Sequence, residues 1–390
     1  MKKIGILTHY YGSKNIGGLL QAYALVQALN QCGREAQQIS FNFDLLDGPS
    51  KQRLRQLRLA NLSMRKILRK PFRLLNNVWE KYQRAKIKGC LTVQNKLFAE
   101  FEQFIPHSLE QYTNTNIAHS KGKYDVFITG SDQVFSSNLL HLTAFFGEFL
   151  DKNKKIISYA ASSDKNQFSV LAEKLFVQKL QRLNAVGVRE KTLKEYIERI
   201  MDKKATVVLD PTLLLSPTDW LKIANPADVS QKPYVFCYFL GGKSVWQRKM
   251  AQAYADKYGY EVIHLPYIRR SIRSADRFLK GEGRYNVGPR EFISLINGAQ
   301  CVFTDSFHGL AFCINFGKNF YVFNRDDQSG PQSMNARITD TLATFGLTAR
   351  HITERSAILD NKPLDFTQVH RILVHEKEKS INWLLDALRD

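Results

Sequence analysis

Short apolar runs alternate with helix-patterned segments along nearly the whole chain, and this alternation constrains the fold more than any other feature. "KIGILTHY" leads into "GLLQAYALVQALNQCG", where Leu19, Leu20, Tyr23, Ala24, Val26, Ala28 and Leu29 recur at helical spacing until Gly33. "AQQISFNFD" returns to strand. After residues 51–105 the rhythm resumes in "YDVFITGSDQ", "KKIISYAASS", "AVGVREKTLKEYIERI" and "ATVVLDPTLLL". The second half repeats it: strand "PYVFCYFLGG", helix "VWQRKMAQAYADKYGY", strand "EVIHLP", helix "GPREFISLINGA", strand "QCVFTDS", helix "FHGLAFCINFGK" and strand "NFYVFNR". Two helices, "ARITDTLATFGL" and "EKSINWLLDALRD", finish the chain. Pro289 suits a first helical turn and Gly298 a helix end.

Such alternation predicts parallel sheets covered by helices on both faces. A chain of 390 residues has room for two of them. The expected class is therefore α/β: two Rossmann-like lobes facing across a cleft, with a basic helical insertion in the N-terminal lobe. The expected divisions are 1–215, containing the insertion 51–105, then 216–375, then a terminal helix at 376–390 that packs back on the first lobe. Ligands of open α/β sheets bind beyond the carboxyl ends of the strands. The loops expected there are Gly12–Gly18, Gly130–Gln133, Ser162–Asp164, Gly241–Lys243, Asp305–Gly309 and Arg325–Asp327.

Charge and cysteine usage narrow the function classes. The formal charge is +20, but residues 51–90 hold 13 lysines and arginines against one acid, Glu80, so the basic character is largely local. Leucines, Phe72 and Trp79 interleave with these cations. Two readings stay open: an anionic membrane surface as partner, or a solvated hairpin packed on the first lobe. Nucleic acid is disfavoured because no reader motif accompanies the charge. The five cysteines are scattered and lack C-x-x-C spacing, which argues against a disulfide framework or structural zinc and for a reducing cytoplasm. The apolar run Ile4–Leu7 is too short for an export segment, and no apolar run is long enough to span a bilayer.

Seven stretches in order, "NIGGLLQAYAL", "YDVFITGSDQVF", "ISYAASS", "GVRE", "VLDPTLLL", "GPREFISLINGAQCVFTDSFHGLAF" and "MNARI", carry a resemblance to the polysaccharide pyruvyltransferase family over nearly the full length. Ile16 departs from it, since tyrosine is common there. The resemblance implies a fold similar to the GT-B glycosyltransferases, with the acceptor on the N-terminal lobe and the donor on the C-terminal one. It implies phosphoenolpyruvate as co-substrate, no cofactor, and a glycan or lipid-linked oligosaccharide acceptor of a bacterial surface polysaccharide. The product would be a pyruvate ketal, made in the cytoplasm or at the inner face of the membrane. The alternative is a GT-B-type glycosyltransferase using a nucleotide sugar, for which Glu291 could grip a ribose.

Ketal transfer from an enol phosphate needs a proton donor, cations for a carboxylate and a phosphate, and a base for two hydroxyls. His308, at a strand-to-helix corner, is the candidate acid; the resemblance makes it catalytic, while the residue pattern alone also allows a core histidine. A bound dianion should outweigh the helix N-terminus and protonate it. Ser306 and Gly309 flank it as donor-binding candidates, though Ser306 also suits a helix cap. Arg325, Arg337 and Lys318 are the candidate cations, with Arg325 better placed than Lys318. Asp132 is a candidate base or a helix cap. Asn15, Gly17, Gly18, Gln21, Ser131 and Gln133 are expected along the cleft on the acceptor side. Arg189–Glu190 reads as a structural pair and Asp210–Pro211 as a turn. No metal-ligand spacing is present, and arginine and lysine suffice to neutralise the donor.

Overall fold

The computed structural model describes all residues except 1, 44, 46–51, 55, 57–84, 86, 166, 226–229, 242, 243, 268–273, 326–334 and 390. Two parallel sheets form, as the strand–helix alternation predicts. The first holds β1 (Lys3–Leu7), β2 (Glu35–Phe41), β3 (His107–Tyr112), β4 (Val126–Thr129), β5 (Lys155–Ala161), β6 (Ala185–Val188) and β7 (Ala205–Val207), in the order β3-β2-β1-β4-β5-β6-β7. The second holds β8 (Tyr234–Tyr238), β9 (Glu261–His264), β10 (Glu282–Gly283), β11 (Cys301–Thr304), β12 (Phe320–Phe323) and β13 (His351–Ile352), in the order β10-β9-β8-β11-β12-β13. The central strands β4, β8, β11 and β12 are buried at every position, which is why their sequences are apolar runs without alternation. Strand order reverses beside β1 in one sheet and beside β8 in the other, so each has its ligand crevice at β1/β4 and β8/β11.

The helices are α1 (Ile16–Gln31), α2 (Lys88–Phe104), α3 (Val170–Leu180), α4 (Lys191–Ile200), α5 (Pro217–Ile223), α6 (Val245–Tyr258), α7 (Pro289–Gly298), α8 (Phe307–Phe316), α9 (Ala336–Thr344) and α10 (Thr367–Ala387). Pro289 opens α7 as expected, and the Gly288 N–H donates to Glu291 Oε2 at 3.0 Å. Gly298 is the last helical residue rather than the cap, which is Ala299. Strand β3 was not legible: "HSLEQY" has no clean alternation, because it is an edge strand whose Leu109 is fully exposed. The terminal helix starts at Thr367, nine residues before the expected 376. It does lie on the first sheet: the Leu209 N–H donates to Ser380 Oγ at 2.9 Å, and a Cβ at Gly187 would come within 2.6 Å of the Trp383 ring. Most of the basic stretch 51–90, with its membrane and hairpin readings, lies outside the described residues; Arg53, within it, pairs with Glu148 at 3.3 Å. Among the described residues no helix is long and apolar enough to cross a membrane.

The joint between the two sheets is packed. Trp220 of α5 is 0% exposed and sits between Tyr23 of α1 and Phe312 of α8, at ring distances of 5.8 and 4.9 Å. Its Nε1–H donates to the Thr212 carbonyl at 3.1 Å, and Asn315 Nδ2 of α8 donates to the carbonyls of Thr212 and Leu215. The crossing segment 211–216 is thus fastened to helices of both lobes. Trp220→Ala removes a large buried ring with a satisfied N–H, so it should cost about 3–5 kcal/mol in urea unfolding; a loss below about 1 kcal/mol would show that the joint collapses around the gap.

Candidate active site

Three strands of the first sheet deliver one acid each to the same buried point. Asp132 follows β4, Glu190 follows β6 and Asp210 follows β7. Arg189, 7% exposed, lies among them. Its Nη1 donates to Asp210 Oδ2 at 2.7 Å, its Nε donates to Glu190 Oε1 at 3.2 Å, and its Nη2 lies 3.5 Å from Asp132 Oδ1. The guanidinium stacks 4.2 Å over the Phe307 ring. Burial opposes charge on every member. At Asp132 the burial penalty is the largest single influence, yet Arg189, His308, His9 and Arg337 together outweigh it and hold the carboxyl at about 2. At Asp210 burial is likewise outweighed, by Arg189 and His308 and by the Thr212 hydrogen bonds, and the pKa is lowered. At Glu190 burial wins and the pKa is raised, although Ser162 Oγ donates to it at 2.6 Å.

The loop after β4 is held in a demanding conformation. Asp132 has φ of 64° and Ala160, on the neighbouring strand, has φ of 47°; left-handed backbone at such residues costs on the order of 1–3 kcal/mol each. Ser131 Oγ contacts the Ala160 carbonyl at 3.0 Å and Asp210 Oδ2 at 3.1 Å. Thr8 Oγ1 donates to the Ser131 carbonyl, and Gln21 Nε2 donates to Thr8 Oγ1. Ser131 and Gln21, expected as cleft residues, are instead fully buried fasteners between β4, β1 and α1.

His308 reaches this cluster from the second lobe. It is the second residue of α8, whose cap is Ser306: the Gly309 N–H donates to Ser306 Oγ at 3.3 Å. Its imidazole lodges against α1, where a Cβ on Gly17 would fall 2.0 Å from Nδ1. Nε2 lies 3.9 Å from Asp210 Oδ2 and, among the described residues, has no hydrogen-bond partner. Burial lowers the His308 pKa; Asp210 and Asp132 resist this, Arg189 and Arg337 add to it, and the net shift is downward from 6.5. The ring is therefore neutral at pH 7 unless another anion is present.

Arg337, in the first turn of α9, is 8% exposed. Burial, with Arg325 and Arg189 nearby, lowers its pKa to about 10. Glu190 and Asp132 partly offset this, so the guanidinium lies between the acids of the floor and the other two arginines. Arg325 lies beside it, its N–H donating to Asn335 Oδ1 at 3.0 Å. Asp305 accepts from the N–H groups of Leu240 and Gly241, fixing the loop after β8 against the loop after β11.

Other expected residues are placed differently. Lys318 follows the far end of α8 and precedes β12, at the amino edge of the sheet, so it does not join the cations of the cleft. Gly309 does not open the backbone to a ligand, because Thr304 Oγ1 would lie 2.6 Å from a Cβ there; the missing side chain serves helix–strand packing. Ser306 is engaged as the helix cap. Gly18 packs on the His9 carbonyl, and Asn15 precedes α1 without a side-chain capping bond. Gln133 is half-buried, with Nε2 unpartnered among the described residues. Glu291, the possible ribose grip, is buried and committed to Gly288 and Asn225. Arg189, Glu190 and Asp210 were read as a local pair and a turn. The available signal was position: charged residues placed directly after buried strands, at the carboxyl edge.

The protein-family model described as polysaccharide pyruvyl transferase matches residues 15–327. No curated protein matches the chain. Similar solved structures include a putative UDP-N-acetylglucosamine 2-epimerase from Listeria monocytogenes, at 12% identity over 100% of this chain and 88% of that one, TM-score 0.47. They also include a UDP-GlcNAc 2-epimerase from Neisseria meningitidis bound to UDP-GlcNAc, at 13% identity over 97% and 100%, TM-score 0.44. A third is the E. coli ADP-heptose lps heptosyltransferase II, at 11% identity over 98% and 99%, TM-score 0.40.

Arg189→Gln leaves buried carboxylates uncompensated, so it should cost about 3–5 kcal/mol at pH 7. In the native protein the lowered pKa values of Asp132 and Asp210 give stability that is present at neutral pH and lost only as pH falls toward about 2. In the variant these acids regain protons at higher pH, so the stability gap should narrow between pH 7 and pH 4. A gap of constant size in urea titrations would contradict the role given to Arg189.

Proposed function

Because the chain belongs to the polysaccharide pyruvyl transferase family, we propose that it moves a pyruvyl group from phosphoenolpyruvate onto two hydroxyls of one sugar in a surface-glycan precursor, forming a ketal and releasing phosphate. The observation that carries this reading is the meeting in one cleft of a buried guanidinium, Arg337, whose charge is opposed by burial and by Arg325 and Arg189, with the His308 imidazole, whose Nε2 has no hydrogen-bond partner among the described residues. A small anion that also needs a proton meets both demands.

Arg337 and Arg325 bind the carboxylate and phosphate of the donor, aided by the N-terminal ends of α8 and α9. The added negative charge raises the His308 pKa and the ring takes up a proton. His308 delivers that proton to the donor's methylene carbon, which becomes a methyl group, and cationic character develops at the neighbouring carbon. Asp210 and Asp132, both held ionised, lie on the side of the ring that develops and loses charge. One sugar hydroxyl adds to the cationic carbon and loses its proton to the now neutral His308. Phosphate then departs with the C–O electron pair, and the second hydroxyl adds in its place, its proton passing to the departing phosphate, while His308 keeps the proton taken from the first hydroxyl for the next turnover. With its pKa at about 2, Asp132 is too weak a base for either hydroxyl, so the assignment of Asp132 as base gives way to His308. For the nucleotide-sugar alternative, Glu291, the expected ribose grip, is buried and bonded to Gly288 and Asn225, which argues against that role.

The reading is tested by following phosphate release from phosphoenolpyruvate with galactose-, glucose-, N-acetylglucosamine- or N-acetylmannosamine-containing acceptors, and the matching gain of one ketal by mass. His308→Ala should lower the rate by about 10²–10⁴-fold while unfolding at a similar urea concentration; stabilisation by a nucleoside diphosphate but not by phosphoenolpyruvate would overturn the assignment. The pH profile supplies a second test. kcat/KM for phosphoenolpyruvate reports the free enzyme, so it should decline as pH rises past a value below 6.5. Asp210 raises the His308 pKa, so Asp210→Asn should move that limb to lower pH.

A further inference from the structure

Helix α2 touches both lobes. On the first-lobe side, Glu102 Oε2 accepts from the Gly12 N–H at 2.8 Å, and Phe101 packs on Tyr23 at 5.9 Å. On the second-lobe side, Gln94 Nε2 donates to the Val287 carbonyl at 3.2 Å, a Cβ on Gly288 would lie 2.7 Å from Leu97, and Arg290 stacks over Phe104 at 5.1 Å. Beside this helix is a cavity of about 130 Å³, walled by Ile16, Phe98 and Leu265 and bordered by Lys14, Gln94, Asn95 and Tyr238. Pockets for drug-sized ligands run to about 300–1,000 Å³, so this one suits a single small ring rather than a nucleotide sugar.

Two features connect the cavity to the chemistry. Ile16 lines it, and the next residue, Gly17, is the one against which His308 Nδ1 rests. Tyr238, at its inner end, is the last residue of β8, and its carbonyl accepts from Thr304 Oγ1 at 2.6 Å, two residues before the cap of α8. Its polar equipment is amide-rich. Gln94 uses Nε2 on the Val287 carbonyl, and the exposed Asn95 amide lines the rim beside it. Apolar walls with a few orienting amides match a ring that is apolar on its C–H faces and polar at its edge.

We propose that this cavity is the acceptor subsite, holding one pyranose unit with its ring edge toward His308 and its amide contacts supplied by Gln94 and Asn95 of α2. The proposal rests on the pyruvyl-transfer reading for what the bound sugar undergoes, but not for whether it binds. Acceptor choice then resides in α2, outside the residues that handle the donor.

The test uses methyl glycosides of galactose, glucose, N-acetylglucosamine and N-acetylmannosamine as probes, with binding read by saturation-transfer NMR on the full chain. Leu91→Trp fills the cavity from α2, and Asn95→Trp does so from an exposed position that tolerates bulk. At least one glycoside should bind the native protein, and both variants should weaken it by about tenfold or more. Absence of binding by every probe, or equal binding in both variants, overturns the subsite. Thermal stabilisation by phosphoenolpyruvate is measured on the same proteins. If it persists while glycosides fail to bind, the subsite alone is wrong; if glycosides bind as described and phosphoenolpyruvate does not, the subsite stands and the donor assignment fails.

Discussion

A single buried guanidinium makes the cleft possible. Asp132, Glu190 and Asp210 arrive at one point because their strands are neighbours in a parallel sheet, and parallel strands bring all their carboxyl ends to one edge. Three acids out of water beside one another would not stay ionised on their own. Arg189 helps keep Asp132 and Asp210 charged, while at Glu190 burial outweighs its cationic neighbours and raises the pKa. The charge state of the floor is thereby set before any ligand enters. Those two fixed carboxylates are what His308 meets when it crosses from the other lobe.

The two lobes contribute unlike halves. The first supplies a rigid anionic floor, fastened by Thr8, Gln21 and Ser131 and held in left-handed backbone at Asp132. The second supplies the imidazole and Arg337 on the first turns of α8 and α9, and Arg325 just after β12. His308 and Arg337 sit in helical first turns, while Asp132, Asp210 and Arg325 lie in the segments directly after β4, β7 and β12, so each group is anchored to a regular element or to the residues that follow one. The fully buried Trp220 and the Asn315 bonds join the halves at the base.

The fold was legible because its signal is redundant. Each strand–helix repeat states the same parallel arrangement, and buried central strands such as "VFIT" and "CVFT" need no side-chain alternation to be recognised. Strand β3 escaped because an edge strand with a fully exposed Leu109 carries no such signal. At the site, His308, Arg325 and Arg337 were visible as charged residues after strands or at helix starts. Ser131, Gln21 and Gly309 were misjudged because a sequence shows that a residue is near an edge, not what its neighbours leave for it to do. Arg189 and Asp210 were undervalued for the opposite reason. Their partners are close in sequence, so a local explanation sufficed until the third and fourth partners, Asp132 and His308, came from segments far away. Lys318 failed on distance alone, at the wrong end of a ten-residue helix.

The absence of a side chain at position 17 has a consequence for economy of substrate. His308 can sit beside Asp210 only because nothing projects from that turn of α1, and the two belong to different lobes. Parting the lobes would withdraw the imidazole from its carboxylate at the same moment that it let bulk solvent in. In the proposed pyruvyl transfer, protonation of the enol phosphate and access of water to the carbon it activates would then exclude each other, which would spare a loaded donor from hydrolysis.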